Sequence, residues 1–270
     1  MRGGASGESP PDAASVIGPD RATLLTTLFL FVIAIAAWAH VLLRPMAMDD
    51  MAGMEMAMSP TLADGAPYVG AWAVMMAAMM LPSALPMIRL YAATLRTITS
   101  SFGKAVRIAA FTLVYLAIWA VIGVPIYLAS VALSAVGPGA LAYGVAGVLV
   151  IAGAFQFSPL KQRCLQQCRS PLGFLLGHWR DGWRGGLMMG AAHSLYCLGC
   201  CWALMIVLVV AGAMGLIWVL LIAAVVAAEK LLPRGEWIAR TTGIALVLLG
   251  IAVAIRPSLA GALRAGGHSM

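Results

Sequence analysis

Seven long apolar runs constrain this chain more than any other feature. They fall at about 23–43, 68–88, 108–134, 139–158, 187–211, 214–232 and 237–256. The hydrocarbon core of a bilayer is about 30 Å thick, so roughly 20 apolar residues of helix cross it. Most of the runs reach that length, and the fourth and sixth are marginal. Backbone groups in hydrocarbon must be satisfied within the segment, which favours helices. The expectation is an all-α, polytopic transmembrane bundle of about seven spans. Only 10% of the residues are charged, against roughly 25% in a soluble domain. That leaves one membrane domain and no room for a large soluble one.

The net charge of +7 invites a nucleic-acid reading, but its distribution argues otherwise. With residues 1–22 cytoplasmic and every run spanning, all 17 Lys and Arg except Arg44, Arg256 and Arg264 collect on one face. That is a positive-inside pattern. It places the N-terminus inside and the C-terminus outside a bacterial cytoplasmic (inner) membrane, with no nucleic acid among the partners. Residues 1–22 read as a disordered cytoplasmic tail and 23–256 as the seven-helix membrane domain. Within it, 44–67 is an outer Met-rich loop and 158–186 a cytoplasmic loop rich in Cys, Arg and Trp. Residues 257–270 form a short outer tail.

The fifth run carries LMMGAAHSLYCLGCCWALM, from Leu187 to Met205. His193, Cys197, Cys200 and Cys201 are a polar, metal-binding set inside a span, where such residues mark function by default. At about 100° per residue, Met189, His193, Cys197 and Cys200 fall on one stripe. His193 and Cys197 are one turn apart, as are Cys197 and Cys201, and such pairs can chelate one ion. A single Cys here packs as a small hydrophobe. Three in five residues, one turn after a His, read instead as ligands.

The second run contains Met75, Met76, Met79 and Met80, two i,i+4 pairs, followed by Pro82 and Pro86. Any one Met fills a core gap, but the doubled pair suits a soft cation. Pro82 frees the carbonyl of Ala78 and predicts a kink beside the tetrad. In the loop after the first run, Met46, Met48, Met51, Met54, Met56 and Met58 alternate with Asp49, Asp50 and Glu55. Thioethers bind Cu(I) and tolerate an oxidising compartment. His40, at the outer end of the first run, adds an imidazole. In the inner loop Cys164 and Cys168 are i,i+4 if helical. They form a secondary metal site between Arg163 and Arg169, and His178 is within reach in sequence. Phe174, Leu175, Leu176, Trp179 and Trp183 read as an interfacial helix. Gly186 and Gly190 offer a close helix crossing. Glu229 and Lys230 end the sixth run as a structural, snorkelling pair. The third and fourth runs carry little chemistry: Gly123 and Pro125 suggest a bend, and Tyr115 packs.

Three segments resemble a bacterial family of predicted metal-binding integral membrane proteins, domain-of-unknown-function family 2182. They are MMAAMMLPSALP, the KQRCLQQCRSPLGFLLGHWRDGWRGG loop running into GAAHSLYCLGCCWALM, and AAEKLLPRG. The resemblance covers about residues 68–256. It implies metal binding, with ligands at His193, Cys197, Cys200, Cys201, Met75, Met76, Met79 and Met80. The Met-rich loop lies outside it.

No Gly-rich phosphate loop or Ser-His-Asp set is present, and no paired carboxylates lie within a span, so no catalytic residues are expected and the chain reads as a non-enzyme. The first reading is Cu(I) handling or transport through a Met/Cys/His site in the membrane, zinc or another soft metal being the alternative ion. The second is an accessory subunit delivering metal to a client membrane enzyme, with a metallochaperone as a further partner. The third is a membrane thiol oxidoreductase using Cys197, Cys200 and Cys201. The second and fifth runs are expected to face each other at similar depth and share the site.

Overall fold

The computed structural model describes residues 21–43, 64–95, 100–134, 136–211 and 216–265. The tail before residue 21, the Met-rich loop and its six methionines, and residues 212–215 lie outside the described residues. Among the described residues ten helices follow in order: α1 Arg21–Leu43, α2 Gly65–Thr94, α3 Ser101–Ser134, α4 Pro138–Phe155, α5 Pro159–Arg169, α6 Pro171–His178, α7 Gly182–Val210, α8 Leu216–Leu231, α9 Gly235–Ile255 and α10 Ser258–Ala265. No strand occurs among the described residues.

Four helices, α2, α3, α7 and α9, are long and apolar enough to cross a membrane, or five if α4 and α5, bent by 63°, count as one broken span. The surface supports a lipid surround. Leu113, Val121, Leu248 and Ile255 on α3 and α9 are 61 to 73% exposed, an arrangement that water would penalise. On α1, Leu30, Ala34, Ala37 and Val41 are buried at helical spacing, while Phe29, Val32 and Ile35 between them are exposed. One stripe thus meets α2 and the rest faces outward.

The helices approach closely where side chains are absent. A methyl group on Gly186 would fall 2.6 Å from the Arg107 carbonyl, and one on Gly190 would collide with that of Phe111. α3 therefore crosses α7 nearly backbone to backbone, as small residues permit. On the other side of α3, the Trp72 indole of α2 donates to the Trp119 carbonyl at 3.0 Å. The same ring lies where a side chain at Gly123 would stand. Gly123 therefore makes room for Trp72, and α3 runs as one helix through it and Pro125. α2 likewise continues through Pro82 and Pro86.

Two expectations for the loops change. Residues 158–186 fold into α5, α6 and the start of α7. Phe174 and Leu175 are buried rather than laid on a leaflet, because α6 packs against α2. Leu172, Leu176 and Trp183 keep an exposed apolar face. The tail after residue 257 holds one more helix, α10, pinned by the Trp218 indole on the Leu263 carbonyl at 3.0 Å.

Candidate metal centre

The centre is built from α7 outward. Its 29 residues make about 43 Å at 1.5 Å per residue, more than one bilayer core. Cys197, Cys200 and Cys201 are each 1% exposed. The thiols of Cys200 and Cys201 donate back to the Cys197 carbonyl at 3.1 and 2.9 Å.

α5 then folds onto α7. Gly199 leaves a gap in the α7 surface, and the Cys164 sulfur fills it, 2.6 Å from where a methyl on Gly199 would stand. One turn further along α5, Cys168 Sγ comes to 4.0 Å from Cys200 Sγ. Cys168 thus meets the same turn of α7 on which Cys200 and Cys201 reach back to Cys197. The sequence set Cys164 and Cys168 apart as a pair in the inner loop; the structure packs both against α7. The 63° bend after α4 turns α5 back, and Cys168 joins the α7 cluster.

α8 delivers the least expected member. Lys230 is only 7% exposed. Its ammonium donates to Cys197 Sγ at 3.0 Å and to Ser83 Oγ at 3.3 Å, and lies 3.9 Å from Met80 Sδ. The neighbouring Glu229 does not pair with it. Glu229 takes Lys161 of α5 instead, at 2.7 Å, with the two side chains 2% and 1% exposed. The expectation of a snorkelling surface pair is thus corrected: each charge turns inward to a different partner. α3 also contributes. The Tyr115 hydroxyl lies 3.1 Å from Cys197 Sγ and 3.5 Å from the Met80 carbonyl. A helix that read as chemically silent supplies a polar contact to the central sulfur.

α2 and α7 meet at the cluster through Lys230 and Tyr115, while α3 and α5 are the principal neighbours of α7. Met75, Met76 and Met79 are as buried as Met80, but Met80 is the one whose thioether reaches the Lys230 ammonium. His193 lies 3% exposed, with its Nδ1 lacking a hydrogen-bond partner. It is ringed by Phe174, Tyr115 and Phe111 at centroid distances of 5.4, 5.7 and 5.9 Å. His178 is stacked on Phe174 and lies 3.4 Å from the Tyr196 hydroxyl, away from the cysteines. His40 is exposed on α1.

Lys230 stands at the end of α8, and the Leu232 and Pro233 carbonyls of the turn after it take the Arg169 guanidinium at 2.9 and 2.6 Å. Lys104, Lys161 and Lys230, counted with the charged face of the membrane domain, are themselves buried.

Among the described residues, no three His, Cys, Asp or Glu side chains stand together as a metal site. What the cluster offers is sulfur in pairs: Cys168 with Cys200 at 4.0 Å, and Cys197 with the Met80 thioether on either side of the Lys230 ammonium. Thiol and thioether donors suit a soft monovalent ion better than a hard one.

Fold and cluster together describe a helical protein of membrane character whose interior holds a cluster of cysteine and methionine sulfurs around a buried lysine ammonium. The family model that matches residues 69–253 is described as PpoB2, a copper chaperone. It covers well over half of the chain, which belongs to that family, and its function is copper-related. No curated protein and no solved structure matches the chain.

Proposed function

We propose that this protein is a membrane-embedded Cu(I) carrier that receives the ion at the sulfur cluster shared by α2, α5 and α7 and passes it to a client protein. The observation that carries this reading is the approach of sulfurs from three helices: Cys168 of α5 to Cys200 of α7, and the Met80 thioether of α2 to Cys197 across the Lys230 ammonium. Thiols at 1% exposure are costly as bare anions in an apolar interior, and a bound cation offsets that cost.

Cu(I) is the cargo. Cys197 would be its principal ligand, with Cys200 or Cys168 and Met80 completing a sulfur environment. Tyr115 positions the Cys197 sulfur. The Met-rich loop would capture the ion outside and the buried methionines of α2 would pass it inward, in the orientation that the charge pattern implies, with seven spans and the cluster toward the cytoplasm. Domain-of-unknown-function family 2182 fits the same description of a metal-binding membrane protein. The role is carriage, with no catalytic step, and delivery to a membrane enzyme under assembly suits a chaperone better than bulk flux does.

The test is anaerobic Cu(I) titration of the full chain in lipid nanodiscs against a chromophoric Cu(I) chelator. Wild-type protein is expected to bind Cu(I) in preference to Zn(II). Cys197→Ser and Cys168→Ser should each weaken binding by at least tenfold, and Cys164→Ser should leave it in place. Equal binding by all three variants would refute the assignment.

The 4.0 Å approach of Cys168 to Cys200 also suits the rival thiol oxidoreductase. That reading requires a Cys168–Cys200 disulfide that a dithiol substrate reduces, becoming a disulfide itself, and that an external two-electron acceptor such as a quinone re-forms. Turnover that persists after complete copper removal would favour it.

A further inference from the structure

Lys230 is the residue that a copper-binding account leaves unexplained. A lysine ammonium in hydrocarbon is expensive, and the chain could have neutralised it with the adjacent Glu229. Neighbours at i,i+1 do not face each other on a helix, and Glu229 is already engaged by Lys161 at 2.7 Å. The hydrogen-bond partners the structure gives Lys230 are Cys197 Sγ, Ser83 Oγ and, more distantly, Met80 Sδ. Two of the three are the soft donors that the copper reading requires, and they come from different helices.

We propose that the Lys230 ammonium and Cu(I) are alternative occupants of the same place in the sulfur cluster, one leaving as the other enters. This rests on the copper reading above and adds to it how the ion is released. An ion bonded to both Cys197 and Met80 sits about 2.3 Å from each sulfur. The ammonium already bridges those two sulfurs at 3.0 and 3.9 Å, so both cations cannot fit between them. Both carry one positive charge. Exchange therefore leaves the charge of the buried site unchanged, and no counter-ion needs to accompany copper. An internal competitor also lowers affinity, which suits a carrier that must give its cargo away. The flexible four-carbon stem of lysine makes such withdrawal feasible, and the polar turn at Leu232 and Pro233 follows two and three residues along the chain.

The experiment compares wild-type, Lys230→Leu and Lys230→Arg full chains in nanodiscs by the same Cu(I) competition. Removing the competing cation in Lys230→Leu, which brings no new donor, should tighten Cu(I) binding by about tenfold or more, the worth of one charge-assisted hydrogen bond, and slow copper release to a soluble chelator. Lys230→Arg keeps the charge and should stay close to wild type or weaker. A second readout uses wild-type protein alone. Acylation of Lys230 by a membrane-permeant amine reagent, read by mass spectrometry, should rise on Cu(I) loading as the side chain leaves the sulfurs. Unchanged or weaker binding by Lys230→Leu overturns the proposal, and so does labelling that stays level or falls on loading. In those cases wild-type binding still stands. Failure of the wild-type chain to bind Cu(I) overturns the copper reading and this proposal together.

Discussion

The Lys161–Glu229 pair makes the sharpest stability prediction, because its burial decides which of two regimes applies. Exposed ion pairs contribute about 0–1 kcal/mol. At 1% and 2% exposure and 2.7 Å separation, this pair belongs to the buried class. There, removing one partner strands a charge and costs about 3–5 kcal/mol. Glu229→Leu and Lys161→Met should therefore each destabilise strongly. At roughly 2–4 °C per kcal/mol for a chain of this order of size, each apparent melting temperature should fall by about 6–20 °C. The double variant Lys161→Met/Glu229→Leu removes both charges and should recover most of that loss, since an apolar replacement of a buried pair is often neutral. The pair also ties α5 to α8, which places Cys168 and Lys230 at the cluster. The single variants should consequently lose copper affinity along with stability. The assay is thermal unfolding of the four proteins in one detergent, treated as a double-mutant cycle. Single variants within about 1 kcal/mol of wild type, or a double variant as damaged as the two singles added, would refute the reasoning.

Gly190→Leu should disrupt the crossing of α3 and α7, because even a methyl group there collides with the Phe111 carbonyl. The expected cost is about 1–3 kcal/mol or more, read as a lowered melting temperature, whereas Gly144→Leu, which faces open space, should be tolerated. A peptide of residues 44–64 should bind Cu(I) more tightly than Zn(II), and replacing Met51, Met54 and Met56 by Leu should abolish that binding. Unchanged binding would assign the affinity to the carboxylates. Reporter fusions after Pro60 and after Ser269 should both report the non-cytoplasmic side, and a cytoplasmic signal from either would break the seven-span assignment.

The helical class was legible because apolar runs of about 20 residues admit few other structures. The grouping of Cys197, Cys200 and Cys201 was legible from helical spacing alone. Cys168 was not placed, since its approach to Cys200 depends on the turn between α4 and α5, which spacing within one helix does not encode. Tyr115 and Lys230 were missed for a similar reason. They lie 82 and 33 residues from Cys197, and each has an ordinary role at its position, packing for one and snorkelling for the other. One local signal did exist. Glu229 and Lys230 are adjacent at the end of an apolar helix, and adjacent residues point about 100° apart. Each therefore needed a partner elsewhere in the fold. His193 shows the opposite case. Its spacing from Cys197 suits shared chelation, yet Phe111, Tyr115 and Phe174 enclose its ring, and helical spacing carries no information about what the neighbouring helices supply.

Copper X-ray absorption of the loaded, full-length protein tests the central claim most directly, because it reads the atoms bound to the ion. The account predicts Cu(I) with sulfur neighbours alone at about 2.3 Å, a shell that loses a sulfur in Met80→Leu and collapses in Cys168→Ser/Cys197→Ser. A shell of nitrogen or oxygen, or a wild-type spectrum from the double cysteine variant, would contradict it.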